Sequence, residues 1–447
     1  MFHQAVLKIS LISMQQKKIF YGWTIVAVAF LIGITQAGVF QNVLSIFLKP
    51  MANEFGWNRS MITGSIAVGS LAGGFLSPFI GPYLDRYGPR KLAFWGISIL
   101  SGGLIALSQL SEIWQLYLFF GTGRMIASGL LGLVVTVSVS NWFIEKRGRA
   151  LGISQLGSRI GIAFLPLLVQ YIIINFGWRT AWAVLGLIVF MFSAIPALIF
   201  LKRRPEDVGL LPDGRKPAEQ IGVVGFEKPL EIESKPIVLL ENEPIWNRRE
   251  VFRTKAFWHL TIVMSIIFFV GAGANFHLFP FMTDEGIPPE IAVLVITVLS
   301  ISSAIGGVFF GFLAERVSIR KLMGTIFITN GLLFFSVFWF VENQVWLFIF
   351  AIVYGAIRGG VLPLVFLIWT DFFGRRSSGT VLGLSSPFRL TANAGGPVFA
   401  AICFDFLHSY WIPFTTFSVL LILAGLISLV AKPPADPSSM NPHKMPS

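Results

Sequence analysis

The amino-acid sequence predicts an all-α membrane protein with twelve transmembrane helices in two pseudo-symmetric bundles of six. Three observations support this prediction. The 447 residues are 55% hydrophobic and only 13% charged, which is far more apolar than a soluble globular chain. Twelve apolar runs are each long enough to cross a bilayer, which takes about 20 residues. A charged turn in the first half is repeated in the second half, which indicates a duplicated half-protein.

The apolar runs fall six on each side of one long polar segment, residues 202–255, which is rich in Pro, Glu, Lys and Arg. We expect this segment to be a flexible cytoplasmic linker between an N-terminal bundle, residues 1–201, and a C-terminal bundle, residues 256–431. The proline-rich end of the chain, residues 432–447, is predicted to be a disordered cytoplasmic tail. The runs cover residues 21–48, 60–80, 92–110, 114–140, 150–175, 179–201, 257–283, 290–313, 321–341, 345–370, 380–404 and 410–431.

The positive charges of the short turns lie mostly on one side of the predicted membrane. The turns after the second, fourth, eighth and tenth runs are basic, whereas the opposite turns hold few bases and several acids. By the positive-inside rule, the basic turns, the linker and both chain ends are predicted to be cytoplasmic. Membrane topology then accounts for the formal net charge of +12, and no nucleic-acid partner is expected. We expect a monomeric multi-pass protein in the lipid bilayer of the cell inner (plasma) membrane.

The repeated turn contains a glycine, an acidic residue followed by arginine, and further bases. Its first copy, residues 81–92, reads Gly-Pro-Tyr-Leu-Asp-Arg-Tyr-Gly-Pro-Arg-Lys-Leu, and residues 311–322 keep the leading glycine, an acid-arginine pair and the final Arg-Lys-Leu. Glycine lets two helix ends approach closely, and an acid among bases can form ion pairs there. We predict a gating or coupling role for Gly81, Asp85, Arg86, Gly88, Arg90, Glu315, Arg316 and Arg320.

Four arginines lie near the middle of apolar runs: Arg124 and Arg358 at corresponding positions of the two halves, and likewise Arg159 and Arg389. Each costs about 2.5–3.5 kcal/mol on insertion scales. No Asp or Glu lies at comparable depth in the runs, so carbonyls, water or a bound anion must solvate the guanidinium groups. Guanidinium binds carboxylate through two parallel hydrogen bonds, so this surplus charge favours a small organic anion. Structural roles in helix packing are the alternative for each arginine.

Neutral polar residues in the same runs extend the candidate substrate site. Gln36, Gln41 and Asn42 lie in the first run, and Asn275 and His277 lie in the outer half of the seventh. His277 is a candidate carrier of a coupled proton because histidine titrates near neutral pH, and a hydrogen-bonded buried histidine is the other interpretation. The sequence has no ATP-binding Gly-x-x-x-x-Gly-Lys-Ser/Thr loop, no metal-spaced His/Cys set and no hydrolase constellation. We therefore predict no catalytic residue, metal, cofactor or enzymatic activity.

The repeated turn resembles the loop between the second and third helices of the major facilitator superfamily of transporters, with its weaker copy between helices eight and nine. Arg124, in Gly-Arg-Met-Ile-Ala-Ser-Gly, resembles the superfamily's arginine-and-glycine pattern in the fourth helix, which implies a structural or coupling role. Other stretches resemble the monocarboxylate and oxalate/formate branch: Tyr21-Gly22-Trp23, Glu-Phe-Gly-Trp-Asn-Arg-Ser at 54–60, Asn141-Trp142-Phe143, Arg-Ala-Leu-Gly at 149–152 and Arg-Pro-Glu-Asp-Val-Gly-Leu at 204–210. The resemblance implies the major facilitator fold.

Together these observations predict a secondary active transporter that moves a mono- or dicarboxylate by alternating access, as proton symport or anion exchange. One alternative is an antiporter that exports neutral or cationic amphiphiles, which an acid at mid-membrane depth would have favoured. The other alternative is a transporter-like sensor that binds a ligand without moving it.

Overall fold

The computed structural model describes residues 20–144, 146–214, 246–314, 316–374 and 377–434, and the regular elements in these ranges are helices. Twelve of these helices are long and apolar enough to span a membrane, which confirms the predicted number. We number them α1 to α12 in chain order. Their bounds are Gly22–Phe55, Arg59–Tyr87, Pro89–Ala106, Ile113–Trp142, Arg147–Phe176, Trp178–Phe200, Lys255–Asp284, Pro289–Leu313, Ile319–Phe340, Gln344–Phe373, Ser378–Leu407 and Trp411–Val430.

Local sequence signals set the ends of several helices. α1 ends at Gly56, which adopts the left-handed conformation (φ +68°) that glycine tolerates best. α4 begins with a capping box in which Glu112 and Gln115 satisfy free backbone N–H groups. Asn343 caps the start of α10, and its side chain accepts hydrogen bonds from the backbone N–H groups of Val345 and Trp346. These signals place helix boundaries that hydrophobicity alone leaves open.

Helices α1, α4 and α6 each contain a short segment that is not α-helical. α1 contains a 3₁₀ turn at Ala37–Val39, and α4 and α6 contain π segments at Ala127–Leu131 and Phe190–Ala194. The first π segment is held by a neighbouring helix, because the Gln36 side-chain amide donates to the carbonyl of Ala127. α11 runs without interruption through Pro387 and Pro397. The proline before Arg389 therefore does not end the helix.

The helices pack in two bundles with the same internal arrangement. In the N-terminal bundle α1 packs on α5, α2 on α4 and α3 on α6, and in the C-terminal bundle α7 packs on α11, α8 on α10 and α9 on α12. The bundles meet along α2 and α11, along α5 and α8, and along α1 and α7. This repeated pattern is the pseudo-symmetry that the duplicated turn predicts.

The closest helix pairs require residues without side chains. A Cβ atom on Gly306 of α8 would lie 1.9 Å from the carbonyl oxygen of Ala356 in α10. A Cβ on Gly157 of α5 would lie 2.0 Å from the carbonyl oxygen of Phe30 in α1. Since backbone atoms cannot swing aside, glycine is what allows these helices to approach.

Gly306→Ala is therefore expected to push α8 away from α10 and to lower the thermal midpoint of the purified protein. Overpacking a well-packed site typically costs about 1–3 kcal/mol. Gly311→Ala is the matched control, since it lies in the same helix and its Cβ would meet nothing within 4 Å. Equal midpoints for the two variants would show that the α8–α10 contact does not limit stability.

The described parts of the predicted linker pack against the bundles. The Asp213 carboxylate accepts hydrogen bonds from the backbone N–H groups of Ile144 (2.9 Å) and Lys146 (3.2 Å). Trp246 is buried, and its backbone N–H donates to the Ser377 hydroxyl (2.8 Å). Residues 1–19, 215–245 and 435–447 lie outside the described part of the chain. Flexibility of the central linker and disorder of the tail stay predictions.

Candidate functional site

A cavity of about 200 Å³ lies where the two bundles meet. Most of its wall belongs to the C-terminal bundle, and α1 and α5 of the N-terminal bundle contribute one polar residue each. The lining residues that the structure describes include two arginines and no carboxylate. The polar lining residues are Gln41, Arg159, Asn275, Ser303, Asn330, Tyr354, Arg358 and Asn393.

Arg358 lies in α10 directly before Gly359 and Gly360, where the helix is briefly interrupted. Its guanidinium donates a hydrogen bond to the side-chain oxygen of Asn275 in α7. That bond uses one of the five guanidinium N–H donors, and the neutral amide leaves the positive charge uncompensated. Tyr354, one turn earlier in α10, also lines the cavity and is 3% exposed. The Arg358 side of the cavity can therefore bind an anion.

Arg159 brings a second positive charge to the same cavity from the N-terminal bundle. A Cβ atom on Gly307 of α8 would lie 3.6 Å from Nη1 of Arg159 and 3.1 Å from the carbonyl oxygen of Gly359. The Arg159 guanidinium thus crosses the bundle boundary and reaches the α8–α10 crossing next to Arg358. Two arginines that the sequence predicts at mid-depth are brought together here.

The side-chain N–H groups of two buried amides in the cavity wall lack an acceptor. Nε2 of Gln41 and Nδ2 of Asn330 make no hydrogen bond to any described residue, and the side chains are 8% and 2% exposed. An unsatisfied buried donor costs about 1–3 kcal/mol. Both residues line the cavity, and both nitrogens are themselves buried.

Sequence reasoning missed four polar lining residues of the C-terminal bundle, Ser303, Asn330, Tyr354 and Asn393. Each is a polar group inside an apolar run, and that signal was available in the sequence. Polar side chains within membrane-spanning segments usually face a bundle interior or a cavity. Applied to uncharged residues, the same rule would have identified all four.

The other two mid-depth arginines lie outside the described lining of the cavity. Arg124 is 7% exposed, and its guanidinium donates to the Ser70 hydroxyl (3.0 Å) and lies over the Phe40 ring (5.0 Å). These contacts connect α4 to α2 and α1 inside the N-terminal bundle. Arg389 lies over the ring of Phe268, with 5.1 Å between Cζ and the ring centroid. For Arg124 the contacts match the structural role that its sequence pattern implies.

Three further predicted residues also lie outside that lining: Gln36, Asn42 and His277. Gln36 contacts the π segment of α4, and Asn42 is buried in α1. Both ring nitrogens of His277 have partners, because Nε2 lies 2.8 Å from the carbonyl oxygen of Pro397 and Nδ1 lies 3.0 Å from the Tyr410 hydroxyl. A carbonyl only accepts, so Nε2 carries the proton and Nδ1 accepts from Tyr410 in the neutral ring.

Two arginines of the repeated turn, Arg90 and Arg320, each form a hydrogen bond within their own bundle. Arg90 donates to the carbonyl of Leu198 in α6, and Arg320 donates to that of Ala431 after α12 (3.0 Å). These contacts occupy corresponding places in the two bundles. Arg86 and Arg316 are exposed.

A glycine forms the bend in the first copy of the repeated turn. Gly88 separates α2 from α3 with a φ of +80°. Gly81 and Asp85 are described only as backbone of α2, and Glu315 lies outside the described residues. The ion pairs that we expect of the two acids stay predictions.

Sequence reasoning also missed a group of four charged residues and one tyrosine that joins the two bundles. The group lies on the side of the membrane opposite the first and last described residues, 20 and 434. We call Lys49, Arg59, Asp284, Asp405 and Tyr410 the far-side cluster. Arg59 of α2 forms two hydrogen bonds with the carboxylate of Asp284 at the end of α7, at 2.7 and 3.1 Å. Lys49 of α1 contacts the same carboxylate at 2.7 Å. These ion pairs connect α1 and α2 to α7.

Asp405 of α11 holds the same end of α2 from the other side. Its carboxylate accepts from the backbone N–H groups of Arg59 (3.0 Å) and Ser60 (2.9 Å), so a residue of one bundle caps a helix of the other. The Tyr410 hydroxyl accepts from Arg59 (2.5 Å). Burial raises the pKa of Tyr410, so the hydroxyl keeps its proton and can donate it to His277. Arg59 is therefore fixed by three residues of the C-terminal bundle.

Known proteins of similar sequence and fold are transporters. The sequence model of the Major Facilitator Superfamily matches residues 25–397 and 278–446. Monocarboxylate transporter 12-B of Danio rerio is 23% identical over 408 residues, which cover 84% of this chain and 80% of that protein. The oxalate:formate antiporter of Oxalobacter formigenes is 23% identical over 391 residues, covering 86% and 85%.

The fold agrees with these matches. The crystal structure of a bacterial homolog of the human lysosomal transporter Spinster superposes with a TM-score of 0.70 at 15% identity, covering 93% of this chain and 98% of that one. The order of twelve spanning helices, the two equivalent bundles and the cavity between them all fit this family. The chain belongs to the Major Facilitator Superfamily.

Proposed function

We propose that this transporter is a secondary active carrier that moves a small organic anion across the inner membrane by alternating access. The observation that carries the proposal is the charge of the cavity, where Arg159 and Arg358 face the same space and no carboxylate is among the described lining residues. The two guanidinium groups give the cavity a surplus of positive charge. An anionic substrate supplies the missing counter-charge.

The same charge argues against the export of cationic amphiphiles. A cation in this cavity would meet two guanidinium groups in a medium of low dielectric constant, where like charges repel strongly. A neutral amphiphile would leave both guanidinium groups without a partner. The names of the monocarboxylate and oxalate:formate relatives agree with a carboxylate substrate.

We further propose that the far-side cluster is one of the two gates. Alternating access requires contacts that close one side of the substrate site and break when that side opens. Arg59 and Lys49 pair with Asp284, and the backbone N–H of Arg59 donates to Asp405, so these contacts join the two bundles in this way. The repeated turn, with its bases on the predicted cytoplasmic side, is the proposed partner gate.

The proposal is tested by the thermal stability of the purified protein against a panel of mono- and dicarboxylates, cations and neutral solutes. We expect only carboxylates to raise the midpoint. A ligand at 100 times its dissociation constant stabilises the state that it binds by about 2.7 kcal/mol, which is readily measured. A shift with cations or neutral amphiphiles alone would instead favour the export function.

Flux in proteoliposomes then separates a carrier from a sensor. We expect the best-binding carboxylate to accumulate in vesicles that contain the protein. Binding without any flux would support a ligand sensor. The control is that the reconstituted protein keeps the thermal midpoint of the purified protein.

A further inference from the structure

His277 is a buried titratable residue that lies one hydrogen bond away from the far-side cluster charges. It belongs to α7, and its side chain is 0% exposed. The Tyr410 hydroxyl makes the connection, because it donates to Nδ1 of His277 and accepts from Arg59. The protonation state of His277 therefore bears directly on a contact that holds Arg59.

The closed far-side cluster requires a neutral imidazole ring. A second ring proton, on Nδ1 of His277, would point at the oxygen of Tyr410, and the Tyr410 proton would then lose its acceptor. A buried donor without an acceptor is costly. The charged ring would also lie near the Arg59 guanidinium, which carries a like charge. Both effects oppose protonation while the cluster is intact.

The two carboxylates of the cluster are already engaged by other partners. Asp284 forms ion pairs with Arg59 and Lys49, and Asp405 accepts two backbone N–H groups at the start of α2. On the other side of the ring, Nε2 of His277 faces the carbonyl oxygen of Pro397, which is uncharged. Among the described contacts of His277, no carboxylate compensates a charge on the ring.

We propose that His277 is a proton-sensing residue of the far-side gate, neutral while the gate is closed and protonated from the far-side solution when it is open. This inference rests on the gate assigned to the cluster under the proposed function. Opening separates Arg59 from Tyr410 and brings water to the ring, so the open state alone binds the proton. The proton is released again before the gate closes and is not carried across.

The sign and size of the pH effect follow from this difference. A ligand that binds only one of two states shifts the population toward that state. A histidine in contact with water titrates near pH 6.5, so proton binding favours the open state by a factor of about 1.1 at pH 7.5 and about 11 at pH 5.5. The ratio of open to closed protein should therefore rise roughly tenfold as the pH falls over this range. Carboxylates in water titrate near pH 4 and contribute little there.

The test measures the distance between the far-side ends of the two bundles by pulsed electron paramagnetic resonance. Nitroxide labels are placed on Ser111→Cys and Glu342→Cys, two exposed far-side positions in different bundles, after the native Cys403 is replaced by serine. The labelled full-length protein is compared at pH 7.5 and pH 5.5. We expect the ratio of the long distance to the short one to rise about tenfold at the lower pH.

Two variants assign the effect to His277. His277→Gln offers one donor and one acceptor but does not titrate, and its distance ratio should change less than about twofold with pH. His277→Asn is a second variant without a titratable ring, in case the glutamine does not fold. His408→Asn is the matched control, because His408 is an exposed histidine two residues before Tyr410 and its φ of +50° suits asparagine. This control should keep the tenfold response.

The possible results separate the proton sensor from the gate itself. Arg59→Gln should give the long distance at both pH values. If Arg59→Gln does so and the unsubstituted gate shows no response to pH, the proton-sensing role is overturned and the gate stays. If Arg59→Gln leaves the short distance in place, the gate assignment fails as well. A pH response that survives both His277 variants would assign the proton to another group and would also overturn the inference.

Discussion

Arg358→Gln is expected to reduce carboxylate binding and uptake by about a hundredfold while the protein still folds. Glutamine can still donate to Asn275, the hydrogen-bond partner of Arg358, so a hydrogen bond between α7 and α10 is retained. The substitution removes the charge that pairs with the substrate carboxylate. Truncating one partner of a buried charge pair costs about 2–5 kcal/mol, which corresponds to roughly 30-fold to several-thousandfold in affinity.

Uptake into proteoliposomes and ligand-induced thermal shift both measure this effect. Arg389→Gln is the informative comparison, because Arg389 is a half-buried arginine of the same bundle that lies outside the described lining of the cavity. We expect it to keep affinity within about threefold. If Arg389→Gln abolishes binding and Arg358→Gln does not, the carboxylate binds at Arg389 and not at Arg358.

Arg59→Gln is expected to slow transport by more than tenfold and to leave substrate affinity nearly unchanged. Arg59 makes two hydrogen bonds to Asp284 and one to Tyr410, and none of these residues lines the cavity. A hydrogen bond to a charged group contributes about 1.5–3 kcal/mol, so losing the contacts shifts the population toward the state that is open on the far side by about tenfold or more. A transporter that is held mainly in one state completes its transport cycle slowly.

The matched control for Arg59 is Arg179→Gln. Arg179 lies on the same side of the membrane and pairs with Glu54 at 2.6 Å, and both residues belong to the N-terminal bundle. This pair does not join the bundles, so we expect near-normal flux. Labelling of cysteines introduced along the far side of the bundle interface should increase in Arg59→Gln and not in Arg179→Gln. Equal labelling and equal flux in the two variants would remove the far-side cluster from the gating mechanism.

Hydrophobicity and charge placement in the sequence determined the fold class. In a bilayer every backbone polar group must be satisfied within its own segment, so an apolar run of spanning length has to be a helix. Twelve such runs and a repeated turn then indicate two related bundles, which the structure confirms. Depth also follows from position along a run, and for this reason Arg159 and Arg358 were identified as residues of the membrane interior.

Depth does not tell which way a side chain faces. Spanning helices are apolar on nearly all sides, so the amphipathic signal that orients helices in soluble proteins is weak. Arg124, Arg358 and Arg389 therefore look alike in the sequence, although only Arg358 among them lines the cavity. The same uncertainty applied to His277, whose two ring nitrogens bind Tyr410 and Pro397 from separate helices.

Only the tertiary structure reveals the pairing of residues in the far-side cluster. Its charged residues lie at the ends of α1, α2, α7 and α11, and in the sequence they look like ordinary acids and bases of short turns. Their pairing depends on the approach of two bundles that the chain connects only through the central linker. The sequence by itself determined the number, length and depth of the helices, because the bilayer imposes these on each segment separately. The helix faces that meet, and hence the cavity and the cluster, follow from contacts between segments that are distant in the chain.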